Sequence, residues 1–109
     1  MKVVRLKPYM RAMKSLGLGE QAQVQIESVI AKAPDAHPMI RGLRGVRKAR
    51  FPLPGRGKSG GGRAIYYVAI APGLLFMMTA YPKNERDDLS PEQRKAILEA
   101  IAGIKGVEP

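Results

Sequence analysis

A chain of 109 residues, 45% of them hydrophobic, is one domain with room for a modest core, too apolar to be a disordered basic tail. It has no cysteine, which excludes a disulfide scaffold, a thiol nucleophile and cysteine metal sites, and leaves the redox compartment open. Nineteen basic residues against nine acidic ones give a net charge of +10, a balance that favours a polyanionic partner.

Val3, Val4 and Leu6 open the chain as a short strand. Charges recur every few positions there, too often for a signal peptide or a membrane span, so a cytoplasmic protein with no membrane contact is expected. Lys7 to Leu16 reads as a short helix, with Tyr9 or Met10, Met13, and Leu16 or Leu18 as its apolar positions. Gly17 and Gly19 bracket a turn. A second helix from Glu20 to Ala33 sets Ala22, Ile26, Val29, Ile30 and Ala33 on one face, and Pro34 ends it. The pattern then becomes β-compatible over Gly45 to Phe51, Arg63 to Ile70 and Leu74 to Tyr81. The turn Ala71-Pro72-Gly73 joins the last two as a hairpin. A closing helix runs from Pro91 to Ile104, with Ser90 at its N-cap, Pro91 in its first turn and Gln93 completing a capping box. The expected architecture is α+β: two N-terminal helices, a small antiparallel sheet of three or four strands and a closing C-terminal helix, in a single domain over residues 1–109.

Charge is distributed unevenly over this frame. Residues 36–84 hold nine Lys or Arg and no Asp or Glu, and Arg41 to Arg63 sets most of these among seven glycines. Lys48 and Arg50 are two apart on a strand and therefore emerge on one face. Arg63 begins the next strand and Lys83 follows the last. If these strands are neighbours, four cations converge on one surface; the alternative is a solvated face with its charges spread apart. An unneutralised cluster costs stability unless an anion is expected, which favours convergence.

Gly55-Arg56-Gly57-Lys58-Ser59-Gly60 imitates a nucleotide-binding loop. Such loops must open a helix whose N-terminus holds the phosphate, whereas more glycines and a strand follow here. A glycine-rich turn carrying basic side chains fits better, and it suits close approach to a nucleic-acid backbone. Tyr66 and Tyr67 point to opposite faces of a strand, so one packs in the core and the other is available to stack on a base. Tyr81 is either a packing residue or a functional aromatic beside Lys83. His37, the single histidine, cannot make a metal site alone and reads as structural. Asp87 and Asp88 precede a helix start, where negative charge favours the dipole, and Met77 and Met78 read as core.

The runs Gly42 to Arg50, Gly55 to Gly61 and Arg63 to Tyr67, with Tyr81 to Ser90, resemble the RelE/ParE toxin superfamily, most of all its HigB-like branch. The resemblance covers nearly the whole chain. It implies a bacterial type II toxin with two N-terminal helices on a curved antiparallel sheet. Many members are metal-independent endoribonucleases that cut mRNA in the ribosomal A site, without a cofactor. It also implies a cognate antitoxin, often with a helix-turn-helix domain. Lys48, Arg50 and Arg63 match the basic sheet positions of the RNA-cleaving members, and Lys83 a basic position beyond the last strand. The tyrosine that RelE carries in its C-terminal segment has no counterpart after Tyr81, which leaves Tyr81 as its substitute.

RNA cleavage without metal needs a base for the 2′-hydroxyl, charge stabilisation of the phosphorane and an acid for the 5′-oxygen. Arg41 to Arg63 contains no His or Glu, so cations carry most of the expected chemistry. Arg50 and Arg63 are expected to clamp the scissile phosphate, with Lys48 or Lys83 in proton transfer. Arg44, Arg47, Arg56 and Lys58, with Tyr67, are expected to hold flanking RNA. Two other functions suit the same basic surface: a gyrase-blocking toxin like the ParE branch, and an RNA-binding module without catalysis.

Overall fold

In the computed structural model, which describes residues 1–54, 61–69, 73–83 and 88–107, the chain runs β1 (Lys2–Arg5), α1 (Lys7–Ser15), α2 (Glu20–Lys32), β2 (Arg47–Phe51), β3 (Gly62–Ala69), β4 (Leu74–Pro82) and α3 (Pro91–Val107). The strands form one sheet in the order β1-β4-β3-β2. β2, β3 and β4 are antiparallel neighbours, while β1 adds to β4 in parallel. That parallel edge departs from the antiparallel expectation. Leu6 ends β1 by donating its amide to the Met77 carbonyl, and α1 starts at once behind it.

Helices cover both faces. On one side α1, α2 and the turn between them contribute Tyr9, Met13, Leu18 and Ile30 to a core with Ala49, Ala64, Tyr66, Leu75 and Met77. On the other, Ile97 and Ile101 of α3 pack with Leu43, Val46, Ile65, Tyr67, Met78 and Tyr81. A sheet buried on both faces needs apolar residues pointing both ways, which is why β4 reads as a continuous apolar run and not an alternating one. A bulge interrupts the β3–β4 ladder: Tyr66 pairs with Met77 and Ile65 with Thr79, leaving Met78 as the extra residue.

The helix ends follow their sequence signals. Gly17 takes a left-handed conformation (φ 73°), and the amides of Gly17 and Leu18 close on the carbonyls of Lys14 and Met13. Ser90 and Gln93 exchange side-chain to backbone hydrogen bonds of 2.9 and 3.1 Å, the expected capping box. β2 begins two residues later than expected because Gly45 is left-handed (φ 96°), so the extended run starts beyond it.

The inward face of α2 differs from its apolar pattern. Val29 is 57% exposed, whereas Glu27 is buried. Glu27 accepts hydrogen bonds from the Arg5 guanidinium (2.8 and 2.9 Å) and from the Tyr9 hydroxyl (3.0 Å), tying β1, α1 and α2 together. A pattern that scores only apolar residues misses a buried charge satisfied in this way. Among the alternatives in α1, Tyr9 faces inward and Met10 is exposed.

Candidate nucleic-acid interface

The strand register assembles the site. Arg50 of β2 is the direct cross-strand partner of Arg63 of β3, and Arg63 is the partner of Tyr81 on β4. Directly opposed residues share a face, so these three stand in one row on the α3 side of the sheet. Lys48, two residues from Arg50, occupies the same face. α3 covers the middle of that face, but this end of the sheet lies open as a concavity of about 560 Å³. It is lined by His37, Pro38, Lys48, Arg50, Arg63 and Lys83.

The convergence expected of Lys48, Arg50, Arg63 and Lys83 is therefore present. No described lining residue is acidic. Pro82, which closes β4, does not divert Lys83: the Lys83 amide donates to the Gly61 carbonyl at 3.0 Å, and the residue lines the concavity. Burial is graded along the row. Arg50 is exposed, Arg63 is only 6% exposed, and Tyr81 is enclosed in the α3-side core. Arg63 Nη1 also donates to the Gly62 carbonyl at 3.1 Å, which fixes the guanidinium against the backbone.

The flanking residues fare differently. Arg47 pairs with Tyr66 and so lies on the opposite face, where its Nη1 donates to the carbonyls of His37 (2.7 Å) and Asp35 (3.2 Å). It anchors the loop before β2 and does not join the concavity. Arg44 sits in an exposed turn in the left-handed region (φ 56°), and its carbonyl accepts a hydrogen bond from Lys105 at 3.5 Å. Tyr67 is buried in the α3-side core beneath the Lys105 ammonium, 5.8 Å from its ring centre, and is not available for stacking. Arg56 and Lys58 lie outside the described residues.

Three residues at this end of the sheet stand outside the sequence expectation. His37 lines the concavity, brought there because its loop is pinned along the β2 edge: Lys48 donates its amide to the Pro38 carbonyl at 3.0 Å, and Tyr66 donates its hydroxyl to the Pro34 carbonyl at 2.6 Å. Burial pushes the Tyr66 hydroxyl up to about 12, so it stays a donor throughout the neutral range. Arg41 and Arg94 flank a shallower adjoining hollow that shares Lys48. Loop closure of this kind leaves no spacing signal, although Arg41 belongs to the basic run itself. Chemically, the concavity offers buried and exposed cations to a phosphodiester.

Residues 1–107 match the family model described as the RelE toxin of the RelE/RelB toxin–antitoxin system. The chain is also similar to E. coli toxin RelE in the free state, in a variant with two arginines replaced by alanine. That likeness has a TM-score of 0.56 and 18% identity, over 92% of this chain and 96% of that one, and at this identity it is a likeness of fold.

Proposed function

The chain belongs to the RelE toxin family, and on that footing we propose that it is a HigB-like toxin that halts translation by cutting mRNA on the ribosome. Membership implies an antitoxin partner; we take it to be a helix-turn-helix protein encoded beside the toxin. The observation that carries the nuclease reading is the four-cation concavity on neighbouring strands, free of described carboxylates. Its shape and charge suit a phosphodiester more than a protein surface. In this reading Arg50 and Arg63 grip the non-bridging oxygens of the scissile phosphate, and the buried Arg63 carries most of the stabilisation of the phosphorane as negative charge builds up. Lys48 and Lys83 flank that phosphate and supply the proton for the departing 5′-oxygen. Tyr81 flanks Arg63 on the same face, as its cross-strand neighbour. The HigB-like assignment is supported by the run from Arg44 to Tyr67 and by Tyr81 to Ser90.

Induced expression in the cytoplasm, with and without the antitoxin, tests the proposal through growth and primer extension on cellular mRNA. Cuts within translated codons, abolished by Arg63→Ala in a folded protein, are the expected result. Growth arrest with intact mRNA and damaged DNA would instead transfer the chain to the gyrase-blocking reading. Harmless expression with salt-sensitive RNA binding would leave a non-catalytic module.

A further inference from the structure

The chain holds a second stretch without an acidic residue. Residues 1–19 contain five Lys or Arg and no Asp or Glu. Arg5 is committed to Glu20 and Glu27, and Lys2 is exposed on β1. The other three stand on α1. At about 100° per residue, Lys7, Arg11 and Lys14 fall within about 60° of one another, on the side of the helix away from Tyr9 and Met13. Burial agrees: all three cations are exposed, whereas Tyr9 and Met13 are fully enclosed against the sheet. Among the described residues none of the three has an ion-pair partner.

This stripe works against its own helix. Like charges three and four residues apart repel, and Lys7 sits at the positive end of the dipole with no acidic residue in the first turn. A phosphate backbone laid along the stripe, about 10 Å long, relieves both costs. α1 packs on the face of the sheet opposite α3, so the stripe points away from the concavity that holds Lys48, Arg50 and Arg63. Cations turned outward on two sides suit a molecule held between two polyanions. A bilayer fits less well, because the apolar face of α1 is spent on the core and Met10 is its one exposed large apolar side chain.

Resting on the reading that the protein acts on the ribosome, we infer that Lys7, Arg11 and Lys14 form a docking stripe for the phosphate backbone of ribosomal RNA. The stripe sets ribosome affinity, while the concavity on the other side of the sheet takes the mRNA. Its contacts go to phosphate and carry no base information, and it contributes to capture, not to the chemical step.

The test compares the full-length wild type with Lys7→Gln/Arg11→Gln/Lys14→Gln, in which glutamine keeps helix propensity and removes the charge. Co-sedimentation with ribosomes between 50 and 200 mM salt reads affinity, and single-turnover mRNA cleavage at saturating ribosome reads the chemical step. Fluorescence anisotropy reads binding of a short single-stranded RNA. Ribosome affinity near physiological salt should fall about 10-fold or more, and the slope of log K against log salt should become shallower by about 2–3, from three contacts of about 0.7–0.9 each. The saturated rate and the short-RNA affinity should stay within about twofold. The charge-preserving Lys7→Arg/Arg11→Lys/Lys14→Arg should bind ribosomes like the wild type. Unchanged ribosome affinity and salt slope in the glutamine variant overturn the inference and leave the nuclease reading intact. So does a loss confined to the antitoxin or to phosphatidylserine vesicles, which would give the stripe to an acidic protein or a membrane. A wild type that binds ribosomes through the stripe but cuts no mRNA removes the nuclease reading and keeps this one.

Discussion

Replacing Arg5 with methionine tests the claim that the helical layer is fastened by one buried charge cluster. Arg5 has a side-chain exposure of 22% and bridges Glu27, whose side chain is 6% exposed, and Glu20, whose side chain is 72% exposed. The Glu20 arm lies in water and contributes about 0–1 kcal/mol. The Glu27 arm differs, because removing Arg5 leaves a buried carboxylate with only the Tyr9 hydroxyl to satisfy it. Breaking a buried pair from one side costs about 3–5 kcal/mol. An unfolding entropy of about 2.1 cal/mol/K per residue, over 109 residues, makes that a fall in Tm of roughly 13–22 °C. Differential scanning calorimetry and urea melts read the loss directly. The compensating variant Arg5→Met/Tyr9→Phe/Glu27→Leu removes the buried members of the cluster, leaving only the exposed Glu20, and should recover to within about 2 kcal/mol of the wild type or above it. RNA cleavage by Arg5→Met below its melting range should be unchanged, since the cluster lies on the helical layer away from the cationic concavity. A single variant within about 1 kcal/mol of the wild type would refute the reasoning, since Glu27 would then be reaching solvent.

Binding of single-stranded RNA should weaken steeply with salt. Four phosphate contacts imply a slope near −2.8 in log K against log salt, or roughly 50-fold between 50 and 200 mM, and Arg50→Ala should reduce the slope by about 0.7 in fluorescence anisotropy. Gly62→Ala should cost at least about 1–3 kcal/mol in urea melts, because the new methyl group would overlap the Phe51 ring; adding Phe51→Leu should recover part of it, and no loss would mean that the ring moves freely. Burial raises the hydroxyls of both Tyr9 and Tyr66, the latter to about 12. A folded value above the ordinary 10 means that their contribution is complete below pH 10 and lost as pH rises through about 12, so urea midpoints should fall across that window. Tyr66→Phe should lower stability at pH 7 by about 1 kcal/mol through the lost bond to Pro34, yet make the alkaline fall shallower.

Element order was legible because each element carries its own local chemistry: the capping box at Ser90 and Gln93, the glycine stop at Gly17, and β-branched and aromatic runs in β3 and β4. Local chemistry says nothing about which strand β1 joins, and its parallel place beside β4 depends on how α1 and α2 fold back over the sheet. The strand cations were legible for a related reason. Period-two alternation places Lys48 with Arg50, and only adjacency of β2 and β3 had to be assumed to add Arg63. The same alternation, taken one residue further, sends Arg47 to the other face, but its charge made it look like part of the basic surface. His37 reads as structural from the sequence, and its place beside β2 is not legible there because tertiary hydrogen bonds, not periodicity, bring its loop to that edge.

The graded burial of the row Arg50, Arg63, Tyr81 shows how one sheet face serves the core at one end and, in the proposed function, a ligand at the other. Where α3 covers the sheet, the row presents an aromatic ring to the core; where α3 ends, it presents guanidinium groups. Arg63 stands at the boundary, fixed to the Gly62 carbonyl, so little rotamer freedom remains to be lost when an anion arrives. Arg50 keeps its freedom and solvation, and its pull on a phosphate is screened by salt. The two arginines are therefore not interchangeable. Loss of Arg50 should weaken capture and leave most of the chemical step intact, whereas loss of Arg63 should remove charge stabilisation where water competes least. Equal effects of Arg50→Ala and Arg63→Ala on the single-turnover rate at saturating ribosome would contradict this division.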